Sequence, residues 1–279
     1  IIHAEKCKSL FRLQSNLVRR GWHEDCKILI HEVPMLNGLF STFSGKFVNS
    51  RRLEIISNNI ANVSTPGFKV SRPVFNAFTG EDESGNGMLQ NTFVSMYDSY
   101  VNFAAAPMLE TGSNLDFAIE GNGFFVVSTK DGPMYTRNGK FTINPDKKLV
   151  TAEGDPVLGK GGEITIDGEE FFVENDGSVF VGNASENKAF IDTIKIVDFE
   201  EKKYLRNYGK NLFVNIQEGA VEIIPENSTI RQGYYEASNV DIMREMIEMI
   251  HTIRAYEAYT KMGESLDSVL GQLIDLTRL

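Results

Sequence analysis

The sequence predicts a mixed α and β fold: helices at the two chain ends pairing as a coiled-coil-like core, with an antiparallel all-β domain inserted between them. Three observations predict it. Apolar residues recur at spacings of three and four from Leu36 to Val63, and again from Val240 to Leu276. Between these stripes lie short apolar runs separated by Asp-Gly and Asn-Gly pairs, the pattern of antiparallel strands and hairpin turns.

The first segment, residues 1–34, differs in composition from the rest. It holds Cys7 and Cys26, Trp22 and three of the histidines (His3, His23, His31), and more basic than acidic residues; the remainder has no cysteine and is strongly acidic. Charges interrupt its apolar runs and no small-residue cleavage site follows, so it does not read as a secretory signal. Cys7, His23, Cys26 and His31 lack the paired spacing of a zinc site. The segment is therefore expected to be an extension that the working protein does not need, with the first helical arm starting at Met35.

The first arm is read over 35–68. Leu36, Leu39, Phe40, Phe43, Phe47 and Val48, then Leu53, Ile56, Ile60 and Val63, form its stripe, and Pro66 and Gly67 end the helix near Asn62. Residues 69–94 read as an irregular linking segment, with Gly80–Gly87 an exposed loop. The β domain is read over 95–235. Its strand signals are Phe124–Val127, Phe171–Val173, Val179–Val181, Ile194–Val197 and Leu212–Val214, and Asp131-Gly132, Asn138-Gly139 and Asp176-Gly177 are among its turns. The second arm is read over 236–279. Ser238 or Asn239 caps it, with Asp241 close behind; Val240, Met243, Ile247, Ile250, Ile253 and Tyr256 make one apolar face, continued by Leu266, Val269, Leu270, Leu273 and Leu276.

Composition and motifs exclude several functions. A net charge of -10 and a pI near 5.0 argue against nucleic acid as a partner. No apolar run reaches the roughly 20 residues that cross a bilayer, so no direct membrane insertion is expected. Gly154–Gly161 (GDPVLGKG) nearly fits a phosphate loop, but Gly161 stands where Ser or Thr would hold magnesium; a hairpin turn is expected instead. Gly121-Asn-Gly123 is too short for a dinucleotide loop. His251 has no nucleophile suggested beside it, Asp116 and Glu120 mark no cleft, and Met243, Met246 and Met249 read as an adaptable packing face. No catalytic residue, cofactor or metal is predicted.

The two arms carry the functional signal. The β domain is poorly placed to cover both stripes, so they are expected to pair with each other or with arms of neighbouring subunits, ordering as they assemble. At the end of the first arm, Ser57-Asn-Asn-Ile-Ala-Asn62 sets Asn58 and Asn62 on one face. Their amides suit capping and cross-subunit hydrogen bonds.

Asn58, Asn59, Ile60, Ala61, Asn62, Thr65, Gly67, Phe68 and Lys69 match the N-terminal motif of bacterial flagellar rod and hook proteins. Leu115–Phe125 and Tyr135-Thr-Arg-Asn-Gly139 resemble that family's central β domain. Glu236-Ala-Ser-Asn-Val-Asp241, with Glu245-Met246, Met249-Ile250 and Arg254-Ala-Tyr-Glu257, resembles its C-terminal helix. The resemblance covers Met35 to Leu279. It implies a non-enzymatic axial subunit exported by the flagellar type III apparatus without a cleaved signal and built into the periplasm-spanning rod. Copies of itself and other rod and hook-basal-body proteins are the implied partners; the basal body is the implied location. The short stretch from Lys69 to Gly121 favours the proximal over the distal rod class. A larger hook subunit, or a secreted β-rich binding module with a coiled-coil stalk, are the other readings. The residues expected at the assembly interface are Leu39, Phe40, Phe43, Phe47, Asn58, Asn59, Asn62, Thr65, Gly67, Phe68, Asn239, Val240, Met246, Ile250 and Tyr256.

Overall fold

The computed structural model describes residues 26–79, 92–168, 170–182, 188–217, 219–225 and 227–277, with the side chains of 26–37, 39–40, 76–79 and 92–97 outside that description. The expected loop at Gly80–Gly87 and the side chains of Leu39 and Phe40 therefore lie outside the described residues. The chain divides into two compact units. One takes residues up to 50, 76–95 and 254–279; the other takes 51–75 and 96–253.

Among the described residues, two long helices stand first and last, as the periodicity predicts: α1 (Cys26–Ala61) and α2 (Ile242–Thr277). Helix α1 begins ahead of the expected start at Met35. The sequence explains this, because Leu29 and Val33 continue the three-and-four spacing of Leu36, Phe40, Phe43 and Phe47 upstream. The expected cap of α2 is also displaced. Asp241 Oδ1 accepts the Met243 and Arg244 amides, at 3.1 and 3.2 Å, so Asp241 caps the helix. Ser238 Oγ accepts only the Val240 amide, and Asn239 is turned elsewhere.

The linking segment is not irregular. It contains β1 (Ser71–Thr79) and β2 (Thr92–Val101), which pair as a two-stranded sheet. Pro73 obscured the first strand. In a two-stranded sheet both strands are edges, where a residue without an amide proton is tolerated.

The body within the second unit is antiparallel. Its largest sheet has the order β12-β5-β6-β14-β13, from Ile196–Val197, Phe124–Thr129, Gly132–Thr136, Leu212–Asn215 and Leu205–Gly209. A three-stranded sheet joins β9 (Phe171–Val173), β10 (Ser178–Val181) and β11 (Ala189–Thr193). Strand β4 (Phe117–Glu120) pairs with β15 (Thr229–Gln232), and β3 (Met108–Glu110) with β16 (Tyr234–Glu236). The run Phe124-Phe-Val-Val127 is uninterrupted because β5 is buried on both faces. Phe125 and Val127 enter a core with Phe117, Met134, Leu149 and Ile230, while Phe124 and Val126 enter another with Tyr135, Val197 and Phe213.

Candidate assembly interface

The chain leaves α1 and re-enters α2 through two passes that lie side by side within the second unit. Asn62 closes α1, its Nδ2 donating to Asn58 O at 2.8 Å and its Oδ1 accepting the Thr65 hydroxyl at 3.1 Å. Gly67 then takes φ +67, a conformation L side chains rarely adopt, and its amide donates to Glu236 O at 2.6 Å. A Cβ at Gly67 would overlap the backbone between Arg137 and Asn138. Phe68, Val70 and Val240 bury together beside Val63.

The motif asparagines act on backbone. Asn59 Nδ2 donates to Ser71 O at 3.0 Å while its Oδ1 accepts the Ser71 amide at 3.0 Å, so the carboxamide pairs with β1 as a neighbouring strand would. Asn59 Nδ2 also reaches Glu245 Oε2 at 3.1 Å, and Arg72 Nη1 lies 2.7 Å from the other oxygen, off hydrogen-bond geometry. Glu245 is fully buried. Asn239 Oδ1 accepts the Val70 amide at 2.7 Å, and its Nδ2 donates to Asn102 O and Ala104 O.

A second buried ionic cluster stands beside this one. Lys69 Nζ donates to Glu236 Oε1 at 2.7 Å and to Ala104 O at 2.8 Å. Arg137 Nη1 donates to Glu236 Oε2 at 3.3 Å, and Nη2 to Gly121 O at 2.8 Å. Burial lowers the pKa of both cations, and Glu236 opposes that fall.

The helix faces divide differently from the expected stripe. In the second unit, α2 turns Glu245, Glu248 and Thr252 inward, and Arg52 Nη2 of α1 meets Glu248 Oε2 at 2.6 Å. With Asn59 on Glu245, these contacts run antiparallel. Ile242, Met243, Met246, Ile247, Ile250 and Ile253 are exposed. In the first unit, Lys46 sits over the Tyr256 ring, Gly38 and Thr42 approach Leu266 and Gly263, and a Cβ on Gly45 would clash with the Tyr259 ring. Phe43 and Phe47 are 61% and 55% exposed there.

Among the expected interface residues, Phe43, Phe47, Asn58, Met246 and Ile250 are exposed; Asn62, Thr65, Asn239 and Tyr256 are half-buried. Asn59, Gly67, Phe68 and Val240 are buried within the subunit, so they hold the junction and offer no free surface. Adjacent helix positions differ by about 100° in direction, which separates Asn58 from Asn59. Sequence reasoning did not single out Lys69, Arg72, Arg137, Glu236 or Glu245 as charge partners. Lys69, Arg137, Glu236 and Glu245 stand inside the quoted motifs, which was the available signal; their pairing across more than sixty residues was not readable.

The other sequence leads resolve into structure. Gly159 N donates to Gly162 O at 2.6 Å, Leu158 bridges Glu163, and Gly161 N is held by the Asp192 carboxylate. That is the expected hairpin, with a carboxylate where a phosphate loop would need an open amide. Asp116 accepts the Thr111 hydroxyl, Glu120 pairs with Arg231, and His251 is exposed. No described helix is long and apolar enough to cross a membrane.

Comparison with known proteins assigns these elements. Residues 48–69 match the family model "Flagella basal body rod protein", 118–181 the "Flagellar hook protein FlgE/F/G D1 domain", and 231–276 the "Flagellar basal body rod FlgEFG protein C-terminal". The chain is 30% identical over 264 residues to the flagellar basal-body rod protein FlgG of Bacillus subtilis, covering 88% of this chain and 100% of that one. It is 36% identical over 235 residues to FlgF of Caulobacter vibrioides, covering 83% and 94%, and 32% identical over 260 residues to FlgG of Buchnera aphidicola from Acyrthosiphon pisum, covering 87% and 100%. With helical ends, an antiparallel body and a junction built from the same motifs, the chain belongs to the flagellar basal-body rod protein family.

Proposed function

We propose that this chain is a structural subunit of the flagellar rod in the basal body, acting by assembly and not by catalysis, and that it helps carry torque from motor to hook. The observation that carries the assembly mode is the outward apolar face of α2. Ile242, Met243, Met246, Ile247, Ile250 and Ile253 are exposed, while Glu245 and Glu248 on the opposite face are engaged by Asn59 and Arg52. Large apolar side chains at this density on a soluble surface mark a place for a partner. In this reading α1 and α2 pair as an antiparallel, coiled-coil-like hairpin, and the outer faces of neighbouring hairpins, from copies of this chain and from other rod components, cover one another. Export proceeds through the flagellar type III apparatus.

Replacing Ile250 or Phe43 with Asp is expected to leave the β body folded and abolish motility and rod formation; normal swimming by either variant would refute the reading. Within the rod we assign the chain to the proximal, FlgF class, on the short stretch between Lys69 and Gly121. It should then restore motility to a strain lacking its FlgF-class protein and not to one lacking the FlgG-class protein.

A further inference from the structure

We propose that Glu236 is a positioning residue: its buried carboxylate latches together the two chain passes that join the helices to the β body, and so fixes the direction in which those helices leave it. The carboxylate is the meeting point of several segments. Oε1 accepts Lys69 Nζ at 2.7 Å and the Ala106 amide at 2.9 Å, and Oε2 accepts Arg137 Nη1 at 3.3 Å. Its backbone carbonyl takes the Gly67 amide. Lys69 extends the latch to Ala104 O, and Arg137 extends it to Ile119 O and Gly121 O. The outgoing pass after α1, the stretch after β2, the turn after β4 and the incoming pass before α2 are thereby tied to one side chain.

Position, and not stability alone, is the reason to place charge there. Lys69 and Glu236 side chains are 0% and 3% exposed and Arg137 5%, so the cluster bears the full desolvation of its ions, and two cations share a single carboxylate. Apolar side chains of similar volume would hold a core as well or better. What apolar side chains lack is direction. Each hydrogen bond here fixes an angle as well as a distance, and each cation reaches a carbonyl on a further segment. The exposed first turns of α2 begin within six residues of Glu236, so a small rotation at the latch is carried along the helix.

The structural half of this inference stands apart from the rod reading; its consequence for assembly rests on that reading. Hydrogen exchange on the purified full chain tests the first half. Glu236→Gln is expected to raise exchange about tenfold or more at the Gly67, Ala106, Ala237 and Asn239 amides, while the β5 and β6 amides keep their protection. Unchanged exchange at the junction overturns the latch. So does an equal loss in β5 and β6, which would make Glu236 an ordinary member of the core. Motility tests the second half. The triple replacement Lys69→Met, Arg137→Met, Glu236→Leu restores an apolar core without direction, and it is expected to melt near the wild-type temperature yet fail to support swimming. Wild-type swimming by a Glu236→Gln chain with a loosened junction, or by the triple variant, overturns the positioning role. Failure of the wild-type chain itself to complement a rod mutant would count against the rod reading and leave the exchange result untouched.

Discussion

Asn58 and Asn59 are neighbours of the same type with opposite expected importance. Asn59→Ala removes two bonds to the Ser71 backbone and one to Glu245. At roughly 1 kcal/mol net for each neutral bond and about 2 kcal/mol for the one to a buried carboxylate, the loss is about 4 kcal/mol. Alanine's better helix propensity returns roughly 0.5 kcal/mol. The expected net destabilisation is about 3.5 kcal/mol, a large fraction of a typical domain stability of about 5–15 kcal/mol.

Asn58→Ala should cost nothing. Its side chain is exposed, and only its backbone carbonyl takes part in the end of α1, accepting Asn62. Propensity alone makes that substitution neutral or stabilising by a few tenths of a kcal/mol. Urea unfolding of the purified variants measures the difference, and exchange at the Ser71 amide locates it. A gap of less than about 1 kcal/mol between the two variants would refute the strand-like pairing of Asn59 with β1. Asn59→Asp sharpens the test, because it sets a second carboxylate beside fully buried Glu245 and should destabilise at neutral pH more than Asn59→Ala does.

Gly67→Ala is expected to destabilise the junction by about 3 kcal/mol or more, since the positive φ is strained for alanine and its Cβ would overlap immobile backbone at Arg137; thermal melts check it. Gly45→Ala should lower the melting temperature of the helical signal even though alanine gains about 1 kcal/mol in propensity, because the Tyr259 ring fills the space of its Cβ. Burial, and secondly the bond to Glu222 at 2.9 Å, raise the Tyr135 phenol pKa above its ordinary 10.0. A tyrosine raised in the folded state contributes stability that is complete below pH 10 and lost as pH climbs toward the folded pKa. Ultraviolet titration should therefore show a tyrosine resisting ionisation in the native protein, and Glu222→Gln should ease but not remove that resistance. Asp241→Ala should cost α2 about 1 kcal/mol, seen as faster exchange at Met243 and Arg244.

The elements that depend on local pattern were legible. The spacing of Leu36, Phe43 and Phe47 and of Val240, Ile250 and Tyr256 predicts both helices, and β5, β9, β10 and β14 fall where short apolar runs lie between turn residues. Three kinds of information were not local. A proline at 73 hid β1, because its tolerance depends on the strand being an edge. The cap of α2 moved to Asp241 because Asn239 is claimed by Val70, Asn102 and Ala104. The buried ions were invisible as partners, since nothing in a linear chain pairs Lys69 with Glu236 or Arg72 with Glu245. The motifs carried these residues without stating their work.

In the proposed assembly, the exposed face of α2 gives a subunit more to gain from several neighbours than from one. Had α2 turned Ile247 and Ile250 inward, that face would already be covered and would have little to offer another subunit. Instead, within the second unit the contact uses Asn59, Glu245, Arg52 and Glu248 alongside buried Ile56, and Ile242, Met243, Met246, Ile247, Ile250 and Ile253 of α2 stay exposed. Completing the burial of six half-exposed aliphatic side chains is worth roughly 1 kcal/mol each, or about 6 kcal/mol for the face. Bringing two subunits together costs about 4–15 kcal/mol in lost freedom. Two such faces covering one another gain about 12 kcal/mol, so pairing with a single neighbour ranges from weakly unfavourable to favourable. A subunit that meets several neighbours at once loses its freedom only once and buries more than one face, so growth at an existing rod end is favoured over pairing in solution.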